Sequence, residues 1–395
     1  NPEQGETLSE QALTLARELA DKAAEAQILR NLVRVYRHTG RIPQAIECGE
    51  QSLALARGLN QPEQLAFTLN DIAGLYSELG PAMSATSEAS DLWRELGNQP
   101  MLADSLAYAC WLHSFAGDYE AAVASSDESF KISQAANNLW GQSYSRYMVG
   151  LVYWNRGELD RAIEVMEEAI RLGSEAGFVV PGVTTRCWLA LLYGDLGAVE
   201  VGIEIADQAV TAAETHWERD LGFTLACLAQ LYLLKGDLSE AATIFQQADH
   251  AKPLNDHWAQ LAMWLRGQLA LAQGHPDQAV ALAIQCVTEL RRFHNRIFFI
   301  PDALYLQGQA LLALDQPREA YERFLEARAE ATEIGSRRTL WKVLATLADI
   351  ETDPIKAGHL RQQAREIIEY IADHAPPELH ASFLGLQAVQ KLLSG

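Results

Sequence analysis

A turn recurs nine times along this chain, and its spacing decides what the chain can fold into. Gly40, Gly80, Gly117, Gly157, Gly197, Gly236, Gly274, Asp315 and Thr352 mark it. Each stands five positions before a small residue: Ala45, Ala85, Ala122, Ala162, Gly202, Ala241, Ala279, Ala320 and Ala357. The intervals are 40, 37, 40, 40, 39, 38, 41 and 37 residues. Such a period, with helical patterning on both sides of each turn, predicts a helical-repeat solenoid. Each repeat then packs mainly on its neighbours, so 395 residues form one elongated all-α body rather than two or three domains.

The unit around Gly157 shows why. Tyr153, Gly150 and Val149 lie four, seven and eight positions before the turn. Ala162, Val165, Met166 and Ala169 follow it. Apolar residues three and four apart put one stripe on each helix. Small residues at −7, +5 and +12 let two antiparallel helices approach closely, and glycine supplies the left-handed backbone that ends the first helix. The −4 aromatic recurs as Tyr36, Tyr76, Tyr193 and Tyr232, and the −7 small residue as Ala73, Cys110, Ala190, Ala229, Gly267, Gly308 and Ala345. The +12 slot holds Ala209, Ala248, Ala327 and Ala364.

On these residues the chain resembles the tetratricopeptide-repeat (TPR) family, whose first helix carries L-G-x-x-Y and whose second carries spaced alanines. The resemblance covers about residues 5–372 and implies a right-handed superhelical solenoid of helix-turn-helix repeats. The unit here is longer than the family's usual one of about 34 residues, so longer helices and joints are expected. Residues 5–20 read as a second helix without its first, which suggests a piece of a larger protein with sequence upstream. The expected layout is repeats over 1–374, with nine turns after that half repeat, and a terminal segment over 375–395. There Ala375-Pro376-Pro377 breaks the pattern, and a last helix over Glu378–Leu393, with Leu379, Phe383, Leu386, Val389 and Leu393 on one face, is expected to cap the final repeat.

Composition narrows the function. The 52 acidic against 31 basic residues give a net charge of −21, which repels nucleic acid and anionic membranes. No apolar run approaches the roughly 20 residues of a membrane span, and no signal peptide is visible. The five cysteines sit in different repeats without a CxxC pair, as expected of free thiols in a reducing cytoplasm. No metal, cofactor or catalytic motif appears, and no metal-spaced Cys/His cluster. His250 and His257 straddle Lys252-Pro253, and His113 stands in the −4 aromatic slot as a packed residue. The chain reads as non-enzymatic, because enzymes need clustered, environment-shifted titratable groups.

Binding is expected on the concave face. By the geometry the resemblance implies, positions −13, −10, −6 and −3 of each first helix point inward. Arg30, Arg34 and Arg37 then share one face at i, i+4 and i+7, with Asn70 on the next repeat. Three close cations call for an anion or for neighbouring carboxylates, and carboxylates are the default in an acidic chain. Trp111, Tyr144, Tyr147 and Trp154 form an inward aromatic group, with Trp264 and Tyr305 further along. Such surface suits peptide side chains or sugar rings, although inter-repeat packing is the plainer role. Trp140, Phe178, Trp217, Trp258 and Phe298 recur at the joints between repeats and read as staples, and Ile297-Phe298-Phe299-Ile300-Pro301 as packing or a contact edge.

Long-unit arrays of this kind resemble the C-terminal sensor regions of STAND-class regulatory ATPases, including maltose-regulator-like transcription activators of bacteria. The implied function is a cytoplasmic sensor domain of a multidomain signalling protein. It would bind a protein, a peptide or a small-molecule inducer in its groove and answer to an upstream domain of the same polypeptide. The alternatives are a stand-alone protein–protein adaptor or a peptide-pheromone receptor.

Overall fold

The computed structural model describes residues 2–251, 258–292 and 299–394, and among them every regular element is helical. Helix α1 (Pro2–Glu18) precedes nine antiparallel pairs. The first three pairs are α2 (Lys22–His38) with α3 (Ile42–Gly58), α4 (Pro62–Ala73) with α5 (Leu79–Leu96), and α6 (Gln99–Ala116) with α7 (Tyr119–Ala135). In the fourth, the first helix is split into α8 (Leu139–Arg146) and α9 (Val149–Arg156), opposite α10 (Leu159–Ala176). The fifth opens with a π-helical turn, Pro181–Thr185, running into α11 (Arg186–Asp195), and pairs with α12 (Val199–His216). Then come α13 (Leu221–Lys235) with α14 (Leu238–His250), and α15 (Ala259–Ala272) with α16 (Pro276–Arg292). The last pairs are α17 (Ile300–Ala313) with α18 (Pro317–Glu333), and α19 (Arg337–Ile350) with α20 (Pro354–Asp373). Two short helices follow, α21 (His380–Leu384) and α22 (Gln387–Ser394). This is the all-α, TPR-like superhelical solenoid expected from the period.

The small-residue slots do what the spacing requires. A Cβ on Gly150 or Gly308, both at −7, would stand 2.5 Å from Met166 or Phe324 across the pair. One on Gly202, at +5, would stand 2.7 Å from the Ala190 carbonyl oxygen. In three repeats the +12 slot holds Ser52, Ser129 or Cys286 instead of alanine. Each donates to a carbonyl 26 residues earlier, on Ala26, Ala103 or Gln260. The −4 tyrosines reach back one repeat: Tyr36 donates to Glu10 and Tyr76 to Glu50.

Seven of the nine turn residues adopt positive φ: Gly40, Gly117, Gly157, Gly197, Gly236, Gly274 and Asp315. Gly80 does not, because Pro81 fits the first turn of a helix, so α5 starts before it and takes Gly80 in. Thr352 does not either. There the chain leaves α19 extended at Glu351, and the Asp353 side chain caps α20 by accepting from Ile355 and Lys356 N–H groups. The joints between pairs use the same left-handed geometry at Ala20, Asn60, Gly97, Asn137, Gly177 and Gly335. The expected terminal helix over 378–393 is not continuous. A 3-10 turn at Pro377–Leu379 leads into α21, and Gly385 breaks the run before α22. The reset moves the buried face, so Phe383, Val389 and Leu392 are covered while Leu393 is exposed.

The superhelix returns on itself. The left-handed turns of three successive repeats seat against the end of the chain: Gly117 on Ile334, Gly157 on Ile371, and Gly197 on the Ser382 carbonyl and Leu386. Asp160 N–H donates to the His374 carbonyl at 2.8 Å, and Arg337 donates to the Arg156 carbonyl at 3.0 Å. Ser336 donates to Asn155 at 3.2 Å. A solenoid normally lacks contacts this distant in sequence, so a seam between α9–α11 and α19–α21 narrows part of the groove into a partly open chamber.

Candidate functional site

The predicted inward residues divide between two concavities, and three of them line neither. Arg30 is answered inside the protein: its Nε lies 2.7 Å from Asp71 Oδ2, and its guanidinium covers the Phe67 ring at 4.3 Å. Asn70 accepts from Ser105 at 2.9 Å. Arg34 and Arg37 are exposed and have no ion pair among the described residues. The carboxylate default therefore holds for one arginine of the three.

Arg37 borders the first concavity, an aromatic pocket of about 180 Å³ that also brings together Tyr108, Trp111, Tyr144, Tyr147, Trp217 and Trp258. Trp111 stacks on Tyr108 at 5.5 Å and meets Phe115 edge-on. Tyr144 stacks on Tyr147 at 6.0 Å and touches Trp140 and Phe178. Tyr147 caps α8 where the helix breaks, so the break sits on the pocket wall. The opposite wall is built by the joints. Trp217 donates its indole N–H to Asp220 at 2.8 Å, and Trp258 stacks on Phe223 at 4.8 Å. The joint aromatics thus have two roles: Trp140 and Phe178 pack together at 5.0 Å, while Trp217 and Trp258 line a cavity. Phe298 and Ile297 lie outside the described residues; Phe299, Ile300 and Pro301 are buried.

Burial pushes the Tyr108, Tyr144 and Tyr147 phenols up, so these rings stay neutral. Asp104 lies nearby, also at a −13 position. Burial, helped by the charge on Asp71, raises its carboxyl to about 6. His113 packs as expected, half-buried with Nδ1 3.5 Å from Asp118, and burial pulls its pKa down. His250 holds the Gln246 carbonyl of its own helix, while His257 lies outside the described residues.

The second concavity is a polar chamber of about 110 Å³ behind the seam. Trp154, Trp264 and Tyr305 line it with Asp195, Gln230, Gln268, Asp302, Arg338 and Lys342. Trp154 is 3% exposed, covered by the Arg338 guanidinium at 4.7 Å. Arg338, itself buried, donates to Asp302 at 2.5 Å and to Asn155 at 3.4 Å, and Thr339 donates to the other Asp302 oxygen. Lys342 donates to Asp195 at 3.2 Å. Tyr305 hydroxyl bonds Thr346 at 3.1 Å.

Periodicity pointed to the aromatics of this chamber and, at −10, to Lys342, but not to Asp195 or Arg338. Asp302 occupies a −13 position, as Asp104 does, so that column of the repeat carried a signal. Arg338 meets Asn155 and Trp154 only because the superhelix closes, which no local pattern encodes. The described residues contain no group of three potential metal ligands, and no helix among them is long and apolar enough to cross a membrane. All five cysteines are free, with Cys48 partly covered and the others buried.

Models of the tetratricopeptide repeat match residues 1–58, 143–172 and 260–283. No curated protein matches the chain by sequence. Among solved structures, the apo form of RapI is similar at TM-score 0.55 and 14% identity, covering 84% of this chain and 97% of that one. Yeast Tom70 aligns at TM-score 0.42 and 12% identity over 99% of this chain and 95% of its own. BtubC from P. vanneervenii aligns at TM-score 0.40 and 16% identity over 63% of this chain and 90% of its own. The chain thus carries tetratricopeptide-repeat matches in three stretches and shares a TPR-like solenoid fold with RapI.

Proposed function

We propose that the chain is a non-enzymatic sensor domain that takes a peptide or protein segment in its groove. The aromatic pocket carries this reading. Its rings form a neutral, partly open apolar surface, and the unpaired cations Arg37 and Arg34 stand on the adjoining helix face. In a chain of net charge −21 such an isolated basic edge selects rather than attracts in bulk. It fits a segment that places an apolar or aromatic side chain among the rings and a carboxylate beside Arg37. The long repeat unit supports a place in a STAND-type bacterial signalling protein, where occupancy of the groove biases a switch in another domain of the same polypeptide. Five free thiols and the acidic surface suit the cytoplasm.

The test is selection of displayed random peptides on the protein, followed by titration of the enriched sequences. Acidic-aromatic peptides should emerge, and Arg37→Glu should weaken them by roughly 10- to 100-fold. Trp111→Leu should weaken them comparably while circular dichroism stays unchanged. Enriched peptides that bind both variants as tightly as the parent would place the site elsewhere. In the full-length protein, an occupied groove should change nucleotide turnover; constant turnover would favour an adaptor.

A further inference from the structure

One carboxylate beside the aromatic pocket has no partner. Asp104, Tyr108 and Trp111 are spaced i, i+4 and i+7, so they share one face of α6. Tyr108 and Trp111 line the pocket, and Asp104 stands one helical turn, about 6 Å, from Tyr108 along that face. It is partly exposed and has no hydrogen bond or ion pair among the described residues. The neighbouring carboxylate, Asp71 on α4, is already answered by Arg30 at 2.7 Å. Arg34 and Arg37 make no pair with Asp104, since α4 lies between α2 and α6 in the array. Yet both open charges act on one ring of the pocket. Burial is the main cause that lifts the Tyr144 phenol; after it, the charge on Asp104 adds to the rise and that on Arg37 opposes it.

A carboxylate kept in this way costs stability. Burial, and then the charge on Asp71, raise it to about 6, so at neutral pH the ionised form is held against its surroundings. A water or another neutral donor would give it a hydrogen bond and leave the charge unbalanced. A cation gives it both, in a partly buried setting where the attraction exceeds that in bulk water. The pocket thus offers an aromatic surface, an open cation at Arg37 and an open anion at Asp104. Its complement is a segment whose aromatic side chain is flanked by charges of both signs. Two residues of extended chain span about 6.6 Å, so a ring seated against Tyr108 brings a basic side chain two positions away to Asp104.

We propose that Asp104 is a specificity-determining residue of the aromatic pocket, selecting segments that carry a lysine or arginine two positions from the seated aromatic residue. This specificity rests on the pocket being a peptide groove, and the test keeps the two apart. The probes are the blocked tetrapeptides Lys-Gly-Trp-Glu and, for the opposite chain direction, Glu-Trp-Gly-Lys. Each is also made with norleucine or glutamate in place of the lysine, and all are titrated calorimetrically onto the whole chain. In one direction the lysine form should bind about tenfold tighter than the norleucine form, with the glutamate form weakest. Asp104→Asn should erase the lysine preference and leave the norleucine form's affinity as it was. Asp104→Lys should turn the preference towards glutamate, which a purely structural role would not do. Trp111→Leu should weaken all forms alike. If Trp111→Leu weakens every form but lysine and norleucine bind the parent equally, the peptide groove stands and the role of Asp104 falls. If no peptide binds, or none responds to Trp111→Leu, the peptide groove falls and this specificity with it. A lysine preference that survives Asp104→Asn would assign the cation to another carboxylate and overturn the proposal.

Discussion

Gly157 illustrates how much one residue of this repeat must satisfy. It holds φ at +76°, and a Cβ there would stand 2.8 Å from Ile371 across the seam. Gly236 holds φ at +90° with open space around it. Both glycines were legible as turn residues; the contact with Ile371 was not, because it joins distant repeats. Gly236→Ala should cost about 1 kcal/mol, the strain of alanine in the left-handed region. Gly157→Ala should cost roughly 1–3 kcal/mol more through overpacking, read as the difference between two urea melts. Asp104 makes a second residue-scale case. Its carboxyl is raised from 3.8 to about 6 in the folded chain, so the unfolded state releases its proton first as pH climbs. Stability from this residue is therefore present below about pH 4 and lost as pH rises towards 6. Asp104→Asn should stabilise the protein by on the order of 2 kcal/mol at pH 7.5 and hardly at all at pH 4. Equal effects at both pH values in paired denaturation curves would refute the shift. The residue stands at −13, a position that repeat geometry already pointed inward.

At the scale of elements, the helices of each pair were readable because a 3.6-residue apolar stripe and a small-residue contact must coincide wherever two helices touch. The joints between pairs were harder to see, since several reach left-handed geometry without glycine. Ala20 does so at φ 55°, Asn60 and Asn137 at 51°. Asparagine tolerates that region and alanine does not. Ala20→Gly should thus stabilise the chain by about 0.5–1 kcal/mol, even though glycine usually weakens helical proteins, and a higher urea midpoint would show it. Breaks inside elements were invisible for another reason. The α8–α9 interruption and the π-helical turn at Pro181–Thr185 lie in stretches whose apolar pattern continues straight through. At the second of these, Pro181, which has no N–H to give, opens the turn, and Val180 and Thr184 beside it line the aromatic pocket. Gly385 is the converse: a visible glycine in a pattern that read as continuous, where the break shifts the buried position from Leu393 to Leu392.

For the whole molecule, periodicity predicted an open groove, and the structure closes part of it. The closing residues carry no shared signature: Arg338 belongs to the ninth pair, Asp302 to the eighth, Asp195 to the fifth, and Asn155 to the fourth. Arg338→Met should leave Asp302 buried without its cation and cost about 3–5 kcal/mol. It should also loosen the seam, giving a larger radius of gyration in small-angle scattering. A variant as compact and as stable as the parent would show that the seam is held by apolar turn contacts alone. The carboxylate removed with its partner, in Arg338→Met with Asp302→Leu, should recover part of the loss.

The returning seam also changes how the chain answers a pull. An open array of repeats yields like a coil spring, each unit giving a little and recovering as the load is released. Here Asp160 is tied to His374 and Arg156 to Arg337. Tension applied at Lys22 and Leu392 reaches the repeats between Asn155 and Ser336 only after that clasp has parted. Up to that force α10 and the four pairs that follow it are shielded; beyond it about 180 residues of slack become available at once. The molecule is a buckled belt rather than a spring, and whatever undoes the buckle releases its full length in one step.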